Sequence, residues 1–463
     1  MEVLQRLDHM FGDLNRIATD KGSRRIRGVR GWPHGTRPDF CHNGLSRMAR
    51  RLKVLMSAYA CEPGKGSEPG VGWNWAREMS RWHDVWVLTR ANNRPTIEGA
   101  LQQGDYAGLD WLYFDLPRWA RFWKKGARGI QSYYYLWQLA AWRVGARFQR
   151  QIGFDLLHHV TFGKYWVPSY LSFLPVKSLL GPLGGGESTP RALAGSFSRR
   201  GVWFERKRNL VRTLAGCDPV LRASLRRASL VAATTEESRQ VLNRLGAEHV
   251  IVEPQCGVTQ EELEFFGRFP LRTERPFRLI SIGRLLQWKG FHLGLEAFAR
   301  LQRACPESEY WVVSGGPEAE ALKHLVHELG IAPRVTFWGR LPTLADVYDK
   351  LAQADVLVHP ALHEAFGNVC LEALAAGRPL ICLDAGGPSL QATERCGFKA
   401  RMGSREQAVA EMAEAMAKLY RSPELRMEMG AAARERARTE FHWTRKAERM
   451  NALYEQICGT DSA

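Results

Sequence analysis

The sequence predicts an α/β protein made of two doubly wound, Rossmann-like domains that face each other across a cleft. Three observations carry this expectation. Short apolar runs alternate with helical stretches, the pattern of parallel strands connected by crossover helices. Several of those runs end in glycine-rich loops, and open α/β sheets bind ligands at the carboxyl ends of their strands. A chain of 463 residues also suffices for two domains of ordinary size. The expected division is an extension over residues 1–47, a first domain over 48–258 and a second over 259–463.

Composition narrows the class. The chain is 45% hydrophobic with no continuous apolar run of 18 residues, so a membrane span is not expected. Nine cysteines are scattered without Cys-x-x-Cys pairs or zinc spacing, which fits a reduced, cytoplasmic compartment. The N-terminus lacks the apolar core of a secretory signal. Charge is unevenly placed: residues 259–463 hold 26 Lys and Arg against 27 Asp and Glu, leaving +18 on the first 258 residues. A basic half beside a neutral one implies an anionic partner for the first domain. No nucleic-acid recognition motif accompanies that charge, so nucleic acid is not the expected partner.

Taken in order, residues 1–47 are rich in Arg and Gly without periodicity. They read as a flexible extension or an untranslated segment, with Met48 as a natural start. Lys53–Tyr59 is the first strand. The loop CEPGKGSEPGVG, Cys61 to Gly72, leads into a helix around Trp73–Trp82, and Val85–Leu88 is the second strand. The loop has neither the dinucleotide-binding nor the P-loop glycine pattern, so Gly66 is a phosphate-loop candidate or part of a tight turn. Residues 116–150 form an aromatic, basic tract. Asp155–His159 is a strand end, and one residue of slip on a strand reverses the face. His159 therefore reaches a site only if the strand stops before it. After the strand Val176–Leu180 comes GPLGGGESTP, Gly181 to Pro190. Its consecutive glycines let backbone approach a ligand, or make a flexible turn. Leu230–Thr235 closes the first domain, followed by the helix Glu236–Leu245 and a linker near Gly257–Arg275.

The second domain opens with the strand Phe277–Ile282 and the loop Gly283–Gly290, carrying Arg284 and Lys289. Tyr310–Ser314 precedes Gly315-Gly316-Pro317, and Val335–Trp338 precedes Gly339-Arg340-Leu341. Val356–Val358 is a buried strand ending at His359-Pro360. Asn368 is the expected N-cap of a helix over Val369–Ala376, with Gly377 at its C′ position and Pro379 stopping it. Leu380–Leu383 is the next strand, and Pro423–Ile457 is strongly helical. Glu364 falls in the loop before the Val369 helix and Glu372 in its first turn. A helix N-terminus attracts anions. Two carboxylates beside it make a poor phosphate site and suit hydroxyl groups instead. A diphosphate between two polyol rings, the form of a nucleotide sugar, satisfies both.

At this point a resemblance becomes specific. The segment HEAFGNVCLEALAAGRPL, with Glu364 and Glu372 eight residues apart, resembles the signature of retaining glycosyltransferases of family 4, which adopt the GT-B fold. The resemblance covers about Leu52 to Ile457, densely in the second domain and loosely in the first. It implies transfer of a hexose from a nucleotide sugar to a hydroxyl acceptor with retention. It assigns Glu364 to the sugar hydroxyls together with backbone near Phe366, Gly367, Asn368 and Val369. Glu372 then holds the ribose, Arg340 and Leu341 lie near base and ribose, and Gly66 and Gly316 lie on donor-facing loops. Arg284 and Lys289 meet the departing diphosphate. The chain has no Asp-x-Asp metal motif, and two cations aimed at the leaving oxygens replace an ion, so no metal or other cofactor is expected. Gly185, Gly186 and Glu187 are acceptor candidates. Family members carry Asp-x-x-His-x-His near the reacting sugar. Asp155 and His158 match here, but Val160 replaces the second His and His159 is the extra imidazole.

The implied acceptor is a lipid-linked saccharide or polysaccharide precursor of the cell envelope or exopolysaccharide, met at the inner face of the membrane. Pro117–Arg150 supports that expectation, with eight Lys and Arg, no acid, and nine aromatics including Trp119, Trp123, Trp137 and Trp142. Such residues suit an anionic bilayer interface, or a core with a basic rim. Arg199–Arg212 is a second basic run. Two rivals stay open: a nucleotide-sugar epimerase of the same fold, and a non-catalytic relative binding a membrane or polyanion.

Overall fold

The computed structural model describes residues 50–459 apart from 103, 105, 107, 122–128 and 196–198. The 1–47 extension and Trp123 lie outside the described residues. The first sheet holds β1 (Lys53–Ser57), β2 (Asp84–Arg90), β3 (Leu109–Phe114), β4 (Leu156–His159), β5 (Lys177–Leu183), β6 (Leu230–Ala233) and β7 (Val250–Val252), in the order β3-β2-β1-β4-β5-β6-β7. The second holds β8 (Arg278–Ile282), β9 (Glu309–Val313), β10 (Val335–Gly339), β11 (Val356–His359), β12 (Leu380–Leu383) and β13 (Gly397–Ala400), ordered β10-β9-β8-β11-β12-β13. Every neighbouring pair is parallel. The expected pair of doubly wound domains is present. Each sheet has a switch point, between β1 and β4 and between β8 and β11, where crossovers leave in opposite directions and open a crevice.

Central strands are buried on both faces, as the four consecutive buried residues of β11 and of β12 show. Three edge or near-edge strands, β3, β7 and β13, have no counterpart in the sequence reading. Each is half-exposed or short: β3 reads LDWLYF, β7 only VIV, and β13 GFKA. Their apolar signal is therefore diluted. The expected linker at 257–275 contains the helix Gln260–Gly267, closed by a reciprocal capping box between Thr259 and Glu262. The first crossover helix begins at Ser67, well before Trp73, with Pro69 in its first turn, where a missing N–H costs nothing.

The C-terminal helical stretch breaks into Pro423–Glu440 and Trp443–Gly459. The latter packs on the first domain's Ser67–Ser80 helix: Trp443 meets Trp75 edge-on at 5.2 Å, and the Tyr454 hydroxyl lies 2.6 Å from His158 Nδ1. Lys446, wholly buried, pairs with Glu253 of the first domain. The aromatic tract divides between core and surface. Tyr133, Tyr134 and Trp137 are buried, the Trp137 indole donating to the Phe114 carbonyl at 3.1 Å, so Trp137 is a core residue and not part of an outer face. Trp119, Leu136, Leu139 and Trp142 point outward. Among the described residues no helix is long and apolar enough to cross a membrane.

Candidate active site

The site grows from the switch point of the second sheet. β8 and β11 are adjacent, so the loops leaving their carboxyl ends must pack side by side. Leu362 N–H donates to the Trp288 carbonyl at 2.8 Å. Gly290, at φ +65, passes so close to Pro360 that a Cβ would stand 1.9 Å from its carbonyl oxygen; only glycine fits. This packing brings Lys289 and Glu364 together, and their side chains form an ion pair, each about one-fifth exposed. Burial alone would raise the Glu364 carboxyl, but the His359 imidazole and the Lys289 ammonium outweigh it and hold the pKa at about 2. Burial, helped by Lys289 and opposed by Glu364, lowers the pKa of His359 from its ordinary value. Its Nε2 is 3.8 Å from Glu364 Oε2, too long for a hydrogen bond, and among the described residues it has no other hydrogen-bond partner. This buried polar atom at the end of β11 escaped the sequence reading; its signal was position at a strand's carboxyl end.

The helix expected from Val369 runs from Asn368 to Ala375, capped by Gly367 at φ +78 in place of Asn368. The left-handed cap suits glycine, and the shift makes Asn368 and Val369 the leading N–H groups of the helix. Phe366 is buried against Phe441, so only its backbone is available to a ligand. Glu372 lies one turn further on. Burial, then the neighbouring Glu262 carboxylate, pushes its pKa up to about 7, and the Tyr348 hydroxyl only partly offsets them. Arg284 and Arg340 are exposed, while Leu341 packs against the main core. Gly316 touches the Leu285 backbone, where a Cβ would meet a carbonyl oxygen at 2.4 Å, so its absent side chain serves packing of the β8 and β9 loops.

On the first domain's side, Gly66 has open space around it and precedes Ser67, a non-glycine residue at φ +61. The triple-glycine loop faces the Glu364 loop directly: a Cβ on Gly184 would lie 3.3 Å from that of Ala365. Gly185 covers the Trp166 ring and Gly186 donates to Ser238 Oγ at 3.0 Å. Glu187 is buried and differs from the expected acceptor contact. Its oxygens accept from Gly185 N–H at 3.0 Å, Thr235 Oγ1 at 2.6 Å and Ser238 Oγ at 2.8 Å, so the carboxylate shapes the loop. β4 continues through His159, paired with Ser57, so the two histidines take opposite faces. His158 is satisfied by Tyr454 and by the Gly181 carbonyl at 2.9 Å. His159 is buried, its Nε2 3.2 Å from the Tyr134 hydroxyl, and burial lowers its pKa to about 4. It belongs to the aromatic packing, because the strand does not end before it.

The loop after β12 closes the crevice. Gly386 N–H donates to Glu237 of the first domain at 2.9 Å, and the next residue ties that loop to the site, Gly387 N–H donating to the Glu364 carbonyl at 2.9 Å. Among the described residues no three His, Cys, Asp or Glu side chains gather as a metal site.

Residues 265–436 match the family model described as glycosyl transferases group 1, and that span holds Arg284, Lys289, Glu364 and Glu372. The lipopolysaccharide core biosynthesis glycosyltransferase LpsD of Rhizobium meliloti is 36% identical over 168 residues, 36% of this chain and 45% of that protein. D-inositol 3-phosphate glycosyltransferase of Corynebacterium jeikeium is 34% identical over 194 residues, 39% and 45% of the two chains. The matches to these two relatives thus span about half of their length. Among solved structures, sucrose-phosphate synthase from Thermosynechococcus elongatus superposes with a TM-score of 0.60 at 18% identity, over 89% of this chain and 100% of that one. Anabaena HepE in complex with UDP-glucose gives 0.52 at 17% identity, over 89% and 100%. The fold is GT-B.

Proposed function

We propose that this protein is a retaining hexosyltransferase of family 4, moving a sugar from a nucleotide-sugar donor to a hydroxyl acceptor. The observation that carries the reading is the Lys289–Glu364 pair at the β8–β11 switch point, beside the N-terminus of the Asn368–Ala375 helix. As the acceptor's hydroxyl oxygen bonds to the sugar's anomeric carbon, the bond from that carbon to the diphosphate breaks; its electron pair goes to the phosphate oxygen, and the hydroxyl proton passes to the departing diphosphate. In this reading Lys289 and Arg284 meet that growing charge, together with the helix N–H groups. Lys289 is paired with Glu364. A diphosphate replaces the carboxylate as the partner of Lys289, which frees Glu364, ionised at any working pH, to accept from sugar hydroxyls. Glu372 takes the ribose hydroxyls, Gly66, Gly316, Arg340 and Leu341 complete the donor side, and no metal is required. HepE, of the same fold, is described in complex with UDP and with UDP-glucose, which favours a nucleotide sugar here. Release of nucleoside diphosphate that depends on an added saccharide acceptor tests the reading. Epimerisation without acceptor, or neither reaction, contradicts it.

The acceptor we infer is a lipid-linked or polysaccharide-precursor saccharide, met by a cytoplasmic enzyme resting on the inner face of the membrane. Support comes from outward Trp119, Leu136, Leu139 and Trp142 beside exposed Arg147 and Arg150, and from the exposed Trp203, Leu210 and Leu214 of the basic helix Arg199–Gly216. LpsD, named for lipopolysaccharide core biosynthesis, supports the same direction. Flotation with anionic vesicles at low salt and loss of binding at high salt are expected; equal binding to neutral vesicles refutes the charge-based contact.

A further inference from the structure

The helix Arg199–Gly216 belongs to the first domain, yet one face of it lies on the donor loops of the second. Phe204 stacks on Trp288 with ring centroids 4.8 Å apart and planes 10° from parallel, and Trp288 stacks in turn on His363 at 5.7 Å and 11°. His363 Nε2 is 2.9 Å from Glu205 and 2.7 Å from Arg208, which also pair with each other at 3.1 Å. Trp288 and His363 are the immediate chain neighbours of Lys289 and Glu364. The helix therefore grips the residue beside each member of the central ion pair. Its other attachment is to the triple-glycine loop: Arg212 donates to the Gly186 carbonyl at 2.6 Å, and Arg208 and Arg212 both donate to the Glu187 carbonyl.

We propose that Phe204, Glu205 and Arg208 are positioning residues. They form a strap that holds the loops of Lys289 and Glu364 in register and couples them to the Gly184–Glu187 loop of the opposite domain. Nothing in these three side chains touches the reacting atoms; they act through Trp288 and His363. A planar three-ring stack resists lateral sliding of the two domains, and the Glu205–Arg208–His363 cluster sets its rotation. Released from the strap, the β8 and β11 loops keep their mutual hydrogen bond from Leu362 to Trp288 but lose the contact that fixes them against the first domain. Donor binding, made mostly by the second domain, then persists while transfer slows, because reacting groups displaced by ~1 Å can cost on the order of 10²-fold in rate.

The test uses the full chain with Phe204→Ala, Arg208→Gln and the conservative Phe204→Tyr. Hydrogen–deuterium exchange is followed in peptides covering 285–290 and 361–368. Faster exchange in those two segments for Phe204→Ala and Arg208→Gln, with the rest of both sheets unchanged and Phe204→Tyr restored to wild-type behaviour, is expected. Unchanged exchange in both segments overturns the strap, whatever the activity. A variant that exchanges everywhere has lost its fold, and the other substitution then decides. The kinetic arm rests on the sugar-transfer reading: turnover falls at least 10-fold with donor KM within about threefold. If the wild type binds no UDP- or GDP-sugar, that reading fails while the exchange result still decides the strap. If transfer occurs and both variants turn over as the wild type does, the positioning role is refuted.

Discussion

At the scale of single residues, the site is a set of charges held at unequal cost. Glu364 has its pKa depressed to about 2, so it favours the folded state above the ordinary carboxylate range and loses that contribution progressively as pH falls from that range through about 2. Glu372 is the reverse. Its pKa is raised to about 7, so the neutral form is preferred, and stability from this group declines as pH rises from the usual carboxylate range through about 7. A carboxylate that accepts ribose hydroxyls must be ionised. Nucleoside diphosphate should therefore bind more tightly at pH 8 than at pH 6, by about threefold to tenfold, and Glu372→Gln should remove that part of the dependence. Calorimetric titration of both proteins checks it, since the ligand's own ionisation is common to the two; identical pH profiles would exclude Glu372 from the contact. In the proposed transfer Lys289 meets charge that grows in the transition state, so Lys289→Ala should lower turnover by ~10²-fold or more and change donor KM much less. Steady-state kinetics decide it, and unchanged turnover removes Lys289 from the chemistry.

At the scale of elements, legibility followed how local the physics is. The unit from β11 through the Asn368–Ala375 helix to β12 was readable because buried strands, a glycine stop and Pro379 are short-range signals. Its cap was misplaced by one residue, since Asn368 is a good cap in general but Gly367 alone suits the left-handed turn found there. Glu187 and His159 were harder. Whether a carboxylate or imidazole faces a ligand depends on Thr235, Ser238 and Tyr134, contributed by other elements. The Arg199–Gly216 strap was legible only as a basic run, because its partners Trp288 and His363 lie on the other domain. The last helix shows what such long-range contacts are worth. Lys446 is wholly buried between Trp75 and Trp443 and neutralises Glu253. Among the described residues Lys446→Ala leaves that carboxylate with only Arg449 as a cation, at 3.3 Å, and should cost about 3 kcal/mol of unfolding free energy. Chemical denaturation measures this; a loss under about 1 kcal/mol would show that the pair does not anchor the helix.

At the scale of the whole molecule, two sheets of the same winding order present their switch points to one crevice, and helices cross it in both directions: Arg199–Gly216 from the first domain and Trp443–Gly459 from the second. The fold class was readable because it needs only alternation of strands and helices, whereas the closure of the crevice is set by contacts such as Gly386 to Glu237 that no local pattern announces. The charge division leaves +18 on residues 1–258 and a nearly neutral second half. All of this presupposes that the crevice takes a nucleotide sugar. The direct measurement is thermal unfolding of the full chain against a panel of UDP- and GDP-sugars. One donor, at ~100 times its dissociation constant, should stabilise the fold by roughly 2.7 kcal/mol, and Lys289→Ala should need a higher concentration for the same shift. A panel in which no nucleotide sugar moves the transition at millimolar concentration would contradict the account.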